Sequence, residues 1–366
     1  MTLAVLHVSQ PTTEGVGRHV RDAVADQTAR GWRVTVASPP DEELVAYVRA
    51  RGAMHAPWSA RRTPSPRALA ETRALRRIVD VADPDVVHLH SSKAGLAGRL
   101  AIRGLRPTLF TPHAWSFLHG GRTTRALALR WERHAARWTK TIICVSESER
   151  ALGVDHRIDA TMIVVRNAVD LDRYAPLPDA RRREVRGRIA VGDAPTAICV
   201  GRLVEQKGQD LLVGAWPAVR SRVPDAQLLL VGEGPERDAL LARRVDGVHL
   251  LGARTDVPEL LAASDLAVLA SRWEGMSYVL LEAIACGTAV VATDVAGVRE
   301  VLEGVPSSVV PPDDAPALAA AVASTLADPA VARRASEGAR ARARAFDRRR
   351  WGEQLAAITE AAVRTP

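Results

Sequence analysis

The chain alternates short apolar runs rich in β-branched residues with longer amphipathic segments rich in alanine, arginine and leucine. This alternation predicts parallel strands joined by crossover helices, which is an α/β fold. In the first half the predicted strands are LAVLHV, WRVTVAS, DVVHLH, TLFTPH, TIICVS and MIVVRN, with helices expected at 17–30, 66–81, 94–103 and 123–138. In the second half they are TAICVGR, AQLLLVG, VHLLG, LAVLAS, AVVATDV and SSVVP.

A polar, proline-containing stretch, residues 171–195, separates the two halves and predicts a linker. We therefore expect an N-terminal Rossmann-like domain over 1–170 and a C-terminal Rossmann-like domain over 196–345. In such doubly wound domains the carboxyl ends of the strands face a crevice, where ligands bind. Residues 346–366 predict a final helix that packs back towards the N-terminal domain.

The formal net charge of +8 raises the question of a polyanionic partner. Acidic residues separate the basic clusters, such as those at 181–183 and 348–350, and aromatic residues make up only 4% of the chain. Nucleic-acid binding proteins combine stripes of basic residues with aromatic side chains that stack on the bases. This sequence has no stripe of basic residues interleaved with aromatics. We expect no nucleic-acid partner, whereas peripheral contact with an anionic membrane stays open.

The cysteines and the N-terminal residues indicate the cellular compartment in which we expect the protein. Cys144, Cys199 and Cys286 are far apart and none lies in a CxxC pattern, which predicts buried free thiols in a reducing compartment. The sequence MTLAVLHVSQ runs directly into a strand pattern without a charged leader, and no apolar run has the length of a membrane span. We expect a cytoplasmic protein that can rest on the inner face of the plasma membrane.

The stretch VGRLVEQKG places Arg202 and Lys207 between a strand and a helix that begins near Gln209. An arginine fork and a compact lysine charge, held in a turn with Gly201 and Gly208, suit a diphosphate. Taken alone, the same stretch is equally well explained as a solvated loop with two basic residues.

A second loop, SRWEGMSYVLLEAIACG, follows the strand LAVLAS. Glu274 lies before the predicted helix and Glu282 lies inside it, and the backbone amides from Gly275 to Val279 would form a free helix N-terminus that binds anions. Glu282 could accept hydrogen bonds from a ribose diol, and Glu274 from sugar hydroxyls. The alternative is that both glutamates are ordinary surface residues.

These loops, together with LLLVGEGPER and VHLLGARTDVPELLAASDLAVLAS, resemble the family 4 glycosyltransferases, over about residues 196–312. The first half is similar more loosely, through EGVGRHV, HLHSSKAGLAGRLA, FTPHAWSF, CVSESE and RNAVD. The resemblance implies the GT-B fold and transfer of a sugar from a nucleotide diphosphate with retention of anomeric configuration. It also implies an N-terminal domain that binds the acceptor and a C-terminal domain that binds the donor.

Residue by residue, the resemblance implies that Arg202 and Lys207 stabilise the departing diphosphate and that Glu282 binds the ribose. Glu274 would contact the donor sugar from the second half, and His113 would contact its reacting face from the first. The other positions implied at the donor are Gly275, Met276, Ser277 and Val279 beside Glu274, Arg254 beside the base, and Gly15 and Gly17 in a tight loop near the phosphates.

Some of these residues have a plainer interpretation. His113 could be a core or capping histidine. Lys93 could meet an acceptor anion or only water. His88, His90 and His119 show no metal-ligand spacing with a carboxylate partner, and the two basic residues can neutralise the diphosphate, so we expect neither a metal nor a cofactor.

The function expected is therefore a retaining, metal-independent hexosyltransferase that uses a UDP-sugar, in bacterial surface polysaccharide, glycolipid or natural-product synthesis. GDP-mannose is the alternative donor, and a nucleotide-sugar 2-epimerase or an arginine-rich polyanion-binding protein are alternatives of other classes. The acceptor, a lipid-linked saccharide or a small molecule, would be selected by loops at 9–17, 39–65 and 113–125.

Overall fold

The computed structural model describes residues 2–61, 68–118 and 120–364. They form two compact units. The first unit combines the residues up to Asn167 with those from Arg348 onwards, and the second unit is Ala168–Asp347. The segment 171–195, predicted as a linker, lies inside the second unit.

A seven-stranded parallel sheet forms the centre of the first unit, in the order β3-β2-β1-β4-β5-β6-β7. The strands are β1 (Ala4–Ser9), β2 (Arg33–Ser38), β3 (Met54–Pro57), β4 (Val86–His90), β5 (Thr108–Thr111), β6 (Thr141–Cys144) and β7 (Met162–Val164). The helices are α1 (Glu14–Ala29), α2 (Glu42–Ala50), α3 (Ala68–Ala82), α4 (Ser91–Ile102), α5 (Arg122–Ala135), α6 (Glu147–Asp155) and α15 (Arg348–Arg364), with 3-10 turns at Ser116–Leu118 and Ala136–Trp138.

Helices cover both faces of this sheet, so its central strands are apolar along their whole length rather than on alternate residues. All residues of β1, β4, β5 and β6 are buried. One core cluster includes Trp58, Phe110 and Trp115, and a second includes Val20 of α1 and Ala356 of α15.

The segment 39–65, expected as an acceptor loop, contains two regular elements that the sequence pattern did not reveal: α2 and β3. β3 is an edge strand of four residues, MHAP, which is only half-buried and ends at a proline. Edge strands of this kind carry no continuous apolar run, so they give little signal in the sequence. Residues 62–65 of the segment, like His119, lie outside the described residues.

The second unit has a six-stranded parallel sheet in the order β10-β9-β8-β11-β12-β13. Its strands are β8 (Thr196–Val200), β9 (Gln227–Val231), β10 (Val248–Gly252), β11 (Leu266–Leu269), β12 (Ala289–Thr293) and β13 (Ser308–Val310). Its helices are α7 (Asp179–Arg188), α8 (Gln209–Arg222), α9 (Arg237–Ala242), α10 (Val257–Ala263), α11 (Tyr278–Ala285), α12 (Val298–Val301), α13 (Ala315–Ala327) and α14 (Pro329–Ala343), with 3-10 turns at Glu205–Lys207 and Arg344–Phe346.

Every strand predicted from the sequence is present, and the prediction of two Rossmann-like units is confirmed. The three cysteines are buried and free, also as predicted. Within the described residues no single helix is long and apolar enough to cross a membrane, although the bent pair Ala315–Ala327 and Ala330–Phe346 reaches the required length and composition.

Candidate functional site

Two loops of the second unit meet at an ion pair. Lys207 ends the 3-10 turn that follows β8, and Glu274 lies in the loop after β11. The Lys207 ammonium donates to Glu274 Oε1 at 2.5 Å, and Ser271 Oγ donates to the same oxygen at 2.8 Å. Since β8 and β11 are neighbouring parallel strands, their carboxyl ends bring the two loops to one edge of the sheet.

The second oxygen of Glu274, Oε2, makes no hydrogen bond with any residue that the structure describes. The side chain is 9% exposed, so Oε1 is held by Lys207 and Ser271 while Oε2 remains an acceptor. An ammonium has three donor hydrogens, and Lys207 uses one of them on Glu274. The pair can therefore present an acceptor and a cation to one ligand.

The backbone around Arg202 and Lys207 is closely packed. Gly208 has a φ of 63°, and a side chain there would approach the carbonyl oxygen of Ala270 to 2.0 Å. The side chain of Gln209 donates to the carbonyl oxygen of Arg202 at 3.0 Å. The loop after β8 therefore has a fixed shape. A cleft beside it is lined by Cys199, Val200, Lys207, Val268, Leu269, Ala270, Ser271 and Ser277.

Helix α11 begins at Tyr278, which is later than expected. Ser277 is its N-cap, with its hydroxyl accepting from the Leu280 amide at 3.4 Å, so Gly275 and Met276 belong to the preceding loop and not to the helix N-terminus. Glu282 is then about one turn into the helix, not two, and it is buried, with 5% of its surface exposed. Val279 is half-buried in the first turn.

Arg254, expected near the base of the donor, is engaged locally. Its guanidinium forms a two-pronged pair with Asp256, at 2.9 and 2.8 Å. Pairing with this carboxylate raises the pKa of Arg254 and lowers that of Asp256. Because its fork already holds a carboxylate, a contact from this segment to a ligand would come from the backbone near Gly252.

In the first unit, Gly15 and Gly17 were expected in a loop, and that expectation is wrong because both lie in the first turn of α1. The reason for a glycine at 17 is packing: a Cβ there would approach the carbonyl oxygen of Thr12 to 2.0 Å. The Gly17 amide donates to Thr13 O at 3.1 Å. The chain thus turns tightly into the helix against Gly17.

Replacing Gly17 with alanine should destabilise the first unit by about 1–3 kcal/mol, since the Thr12 backbone must move to admit a methyl group. Thermal or denaturant unfolding measures this loss. Gly187→Ala is the matched control, because Gly187 is also helical and a Cβ there meets nothing within 4 Å. Equal stability of the two variants would contradict the close approach at Thr12.

His113 follows β5 and is half-buried. It has a φ of 52° and its neighbour Ala114 has a φ of 89°, so two consecutive residues other than glycine adopt the left-handed region. Single residues in that region are uncommon and cost of order 1–3 kcal/mol each. The surroundings of His113 must therefore impose this backbone, and the ring itself packs among other histidines.

Five histidines lie together in the first unit: His7, His19, His88, His90 and His113. Three of them form a hydrogen-bonded chain, in which His113 Nε2 meets His90 Nδ1 at 3.4 Å, His90 Nε2 meets His7 Nδ1 at 2.9 Å, and His7 Nε2 meets Gln27 Oε1 at 2.8 Å. His88 Nε2 bonds to Thr111 Oγ1 at 2.8 Å.

Burial keeps these rings neutral. Desolvation lowers the pKa of His7 to about 4, partly offset by the hydrogen bond to Gln27. Desolvation also lowers the pKa of His19 to about 4, and it holds those of His88, His90 and His113 well below their usual range. A neutral imidazole has one donor and one acceptor nitrogen, which is what a directed chain of rings requires.

Two groups of these rings have nitrogens within 4.8 Å of one another and could hold a metal ion: His7, His88 and His90, and His19, His90 and His113. Neither group includes a carboxylate from the described part of the chain. Three histidines can hold zinc without a carboxylate, but ring nitrogens of both groups are already paired, His90 Nε2 with His7 Nδ1 and His90 Nδ1 with His113 Nε2. The hydrogen bonds between the rings explain their positions better.

This cluster was not predicted from the sequence, in which His88 and His90 were considered only with His119, and not with His7 or His19. A signal was available: the two histidines of DVVHLH are two residues apart and so point to the same face of β4. The contribution of β1 and α1 to that face depends on the strand order, which the sequence pattern does not give.

Two family models cover most of the chain. Residues 13–173 match the model described as Glycosyltransferase Family 4, and residues 194–328 match Glycosyl transferases group 1. The first range lies in the first unit except for its last six residues, 168–173, and the second range lies within the second unit.

Among characterised relatives, the chain is 40% identical over 207 residues to a GDP-mannose-dependent alpha-(1-6)-phosphatidylinositol monomannoside mannosyltransferase from Mycolicibacterium smegmatis. That match covers 52% of this chain and only about half, 53%, of the relative. The chain is also 34% identical over 287 residues to the alpha-maltose-1-phosphate synthase of Mycobacterium tuberculosis, a match that covers 70% of this chain and 73% of that protein.

Among solved structures, the fold is similar to that of Anabaena HepE in complex with UDP and glucose. The TM-score is 0.85, with 98% of this chain and 100% of HepE covered at 22% sequence identity. At that identity the likeness establishes the GT-B fold.

Proposed function

Because the chain belongs to the glycosyltransferases described as family 4 and group 1, we propose that it moves a hexose from a nucleotide diphosphate sugar to an acceptor, with retention and without a metal ion. The observation that carries this proposal is the pair formed by Lys207 and Glu274 at the sheet edge of the second unit. A cation beside a carboxylate with an available oxygen suits a ligand that has both phosphate and sugar hydroxyls.

Charge governs the proposed reaction. As the bond from the anomeric carbon to the diphosphate breaks, negative charge builds on the leaving oxygens and positive character builds on the sugar. Lys207, with Arg202 from the same loop, would stabilise the leaving group, since fixed donors aimed at developing charge lower a barrier most effectively. The proton of the acceptor would pass to the departing phosphate on the same face, which gives retention.

The carboxylates would bind the rest of the donor. Glu274 Oε2 would accept from a sugar hydroxyl while Oε1 stays with Lys207 and Ser271. The buried Glu282 would accept hydrogen bonds from the ribose hydroxyls, since a carboxylate can bind two neighbouring hydroxyl groups. The loop from Gly275 to Ser277, with Val279, would border the sugar. His113 would contact the reacting sugar, and Gly15 and Gly17, in the first turn of α1, would lie near the donor phosphates.

The donor we propose is a UDP-sugar, and GDP-mannose is the second candidate. The similar HepE structure holds UDP, and the mannosyltransferase from M. smegmatis uses GDP-mannose. The acceptor we propose is a lipid-linked saccharide or a small molecule, because that same relative acts on a phosphatidylinositol mannoside. A lipid-linked acceptor would place a cytoplasmic enzyme at the inner face of the membrane.

The test is hydrolysis and transfer with UDP-, GDP-, ADP- and dTDP-sugars, measured with EDTA present. We expect one nucleotide sugar to be turned over at the same rate with and without EDTA, and the released sugar to keep the anomeric configuration of the donor by NMR. Interconversion of the donor sugar without transfer would instead identify an epimerase. Turnover that stops in EDTA would contradict the metal-free mechanism.

A further inference from the structure

Glu149 is a buried carboxylate whose two oxygens both bind backbone amides. Its Oε1 accepts from the amide of Ala114 at 2.6 Å, and its Oε2 accepts from the amide of Val145 at 2.8 Å. Only 2% of the residue is exposed. The side chain thus joins the segment after β5 to the end of β6, the neighbouring strand.

The placement of Glu149 departs from an ordinary helix start. Ser146 is the N-cap of α6 and its hydroxyl accepts from the Glu149 amide at 3.1 Å, so Ser146 and Glu149 have the spacing of a capping box. In that motif the glutamate side chain returns to the amide of the N-cap residue. Here it reaches Val145 and Ala114 instead. The carboxylate therefore holds a tertiary contact rather than closing its own helix.

Glu149 holds a strained segment of the backbone. Ala114 has a φ of 89° and His113 a φ of 52°, a backbone that a residue with a side chain adopts only when its surroundings impose it. A charge-assisted hydrogen bond to the Ala114 amide is a strong restraint of that kind. The indole of Trp115, fully buried, adds a second one by donating to the Glu149 carbonyl oxygen at 2.7 Å.

We propose that Glu149 is a positioning residue for transfer: by binding the Ala114 amide it holds His113 in the left-handed conformation that aims its ring. The inference rests on the proposed function, in which His113 contacts the reacting sugar. Glu149 itself touches neither donor nor acceptor in this scheme, and its effect on the rate passes through His113.

The environment of the carboxylate makes its restraint depend on pH. Desolvation raises the pKa of Glu149 to about 7, against the two amide hydrogen bonds, which lower it. Two neutral groups lie near Glu149: the Cys144 thiol, whose pKa is raised by burial, and the His113 ring, whose pKa is lowered by burial. The nearby charged groups, Glu147 and Arg150, pair with each other at the surface. Protonation below about pH 7 removes one acceptor, so the restraint weakens as pH falls.

Hydrogen exchange tests the contact without any substrate. In Glu149→Gln one carboxylate oxygen becomes an NH₂ group and the negative charge is lost, so the hydrogen bond to the Ala114 amide is either broken or no longer charge-assisted. We expect the Ala114 amide to exchange at least about tenfold faster than in the parent at the same pH, with Phe110 in β5 unchanged. Glu147→Gln, on the exposed side of the same helix, should leave Ala114 as it is. Unchanged protection of Ala114 in Glu149→Gln would overturn the inference.

Turnover then tests the link to His113. Glu149→Gln should lower kcat by about ten- to a hundredfold with little change in KM, and the fall of the parent's rate below pH 7 should disappear. It should cause no further loss in a His113→Ala background. Ala114→Gly should partly restore the rate of Glu149→Gln, since glycine adopts the positive φ without strain. Additive losses, or no rescue, would show a merely structural role.

The two proposals fail in different ways. If the parent turns over no nucleotide sugar, the proposed function fails while the exchange of Ala114 still reports on the contact. If the parent is active and Glu149→Gln matches it in kcat and pH profile, the positioning role fails alone. Should Glu149→Gln not fold, Ala114→Gly in the parent still decides, because a restraint by Glu149 predicts a weaker fall of the rate below pH 7 in that variant, and an unchanged fall would overturn the inference.

Discussion

Lys207→Met is expected to lower donor turnover by about 10²–10³, mostly in kcat. The ammonium is the compact charge that would face the departing diphosphate, and methionine keeps the length of the side chain without the charge. Lys207→Arg should lose less, because the charge remains while the planar fork fits the position of a point charge poorly. Steady-state kinetics with the best donor measures both.

The control for Lys207→Met is Arg334→Met, which removes a cation from an exposed position on α14 of the same unit. Its turnover should equal that of the parent. If Lys207→Met also equals the parent, the lysine does not stabilise the leaving group, and its pairing with Glu274 is only structural.

Glu274→Gln should reduce turnover by about a hundredfold, the loss that corresponds to one hydrogen bond to a charged group. The substitution keeps the shape of the side chain, but one of the two oxygens becomes an NH₂ group. Either the contact with Lys207 and Ser271 or the acceptor offered to the sugar must then be lost. Both kcat and KM should change, since the sugar is bound before and during transfer.

Glu337→Gln, also on α14 and exposed, is the matched control for this second substitution. It removes one negative charge from the unit without touching the proposed site. A parent-like rate for Glu274→Gln would mean that the sugar is held elsewhere, and Glu282 would be the next carboxylate to replace.

The fold was predictable because its strands are buried on both faces and therefore appear as continuous apolar runs. β8 and β11 are examples, and the loops after them could be placed at one sheet edge from topology alone. The proximity of Lys207 and Glu274, which are 67 residues apart, follows from that edge. The sequence predicted both residues as donor contacts, although it did not predict that they bind each other.

Other features depend on information that patterns do not contain. The segment at Gly15 and Gly17, expected as a loop, is the first turn of α1. Gly17 is required there because a Cβ would collide with the carbonyl oxygen of Thr12, and the sequence pattern does not reveal such a close approach. The start of α11 was misplaced because Ser277, and not the glycine before it, supplies the cap. The role of Glu149 depends on β5 lying beside β6, which no local pattern reveals.

The most direct measurement of the proposed chemistry is donor turnover by the parent beside Lys207→Met and Glu274→Gln, with Arg334→Met and Glu337→Gln as controls, all in EDTA. We predict that one nucleotide sugar is consumed by the parent and both controls and is left nearly untouched by the two site variants. Equal consumption by all five proteins would contradict a donor site built on Lys207 and Glu274.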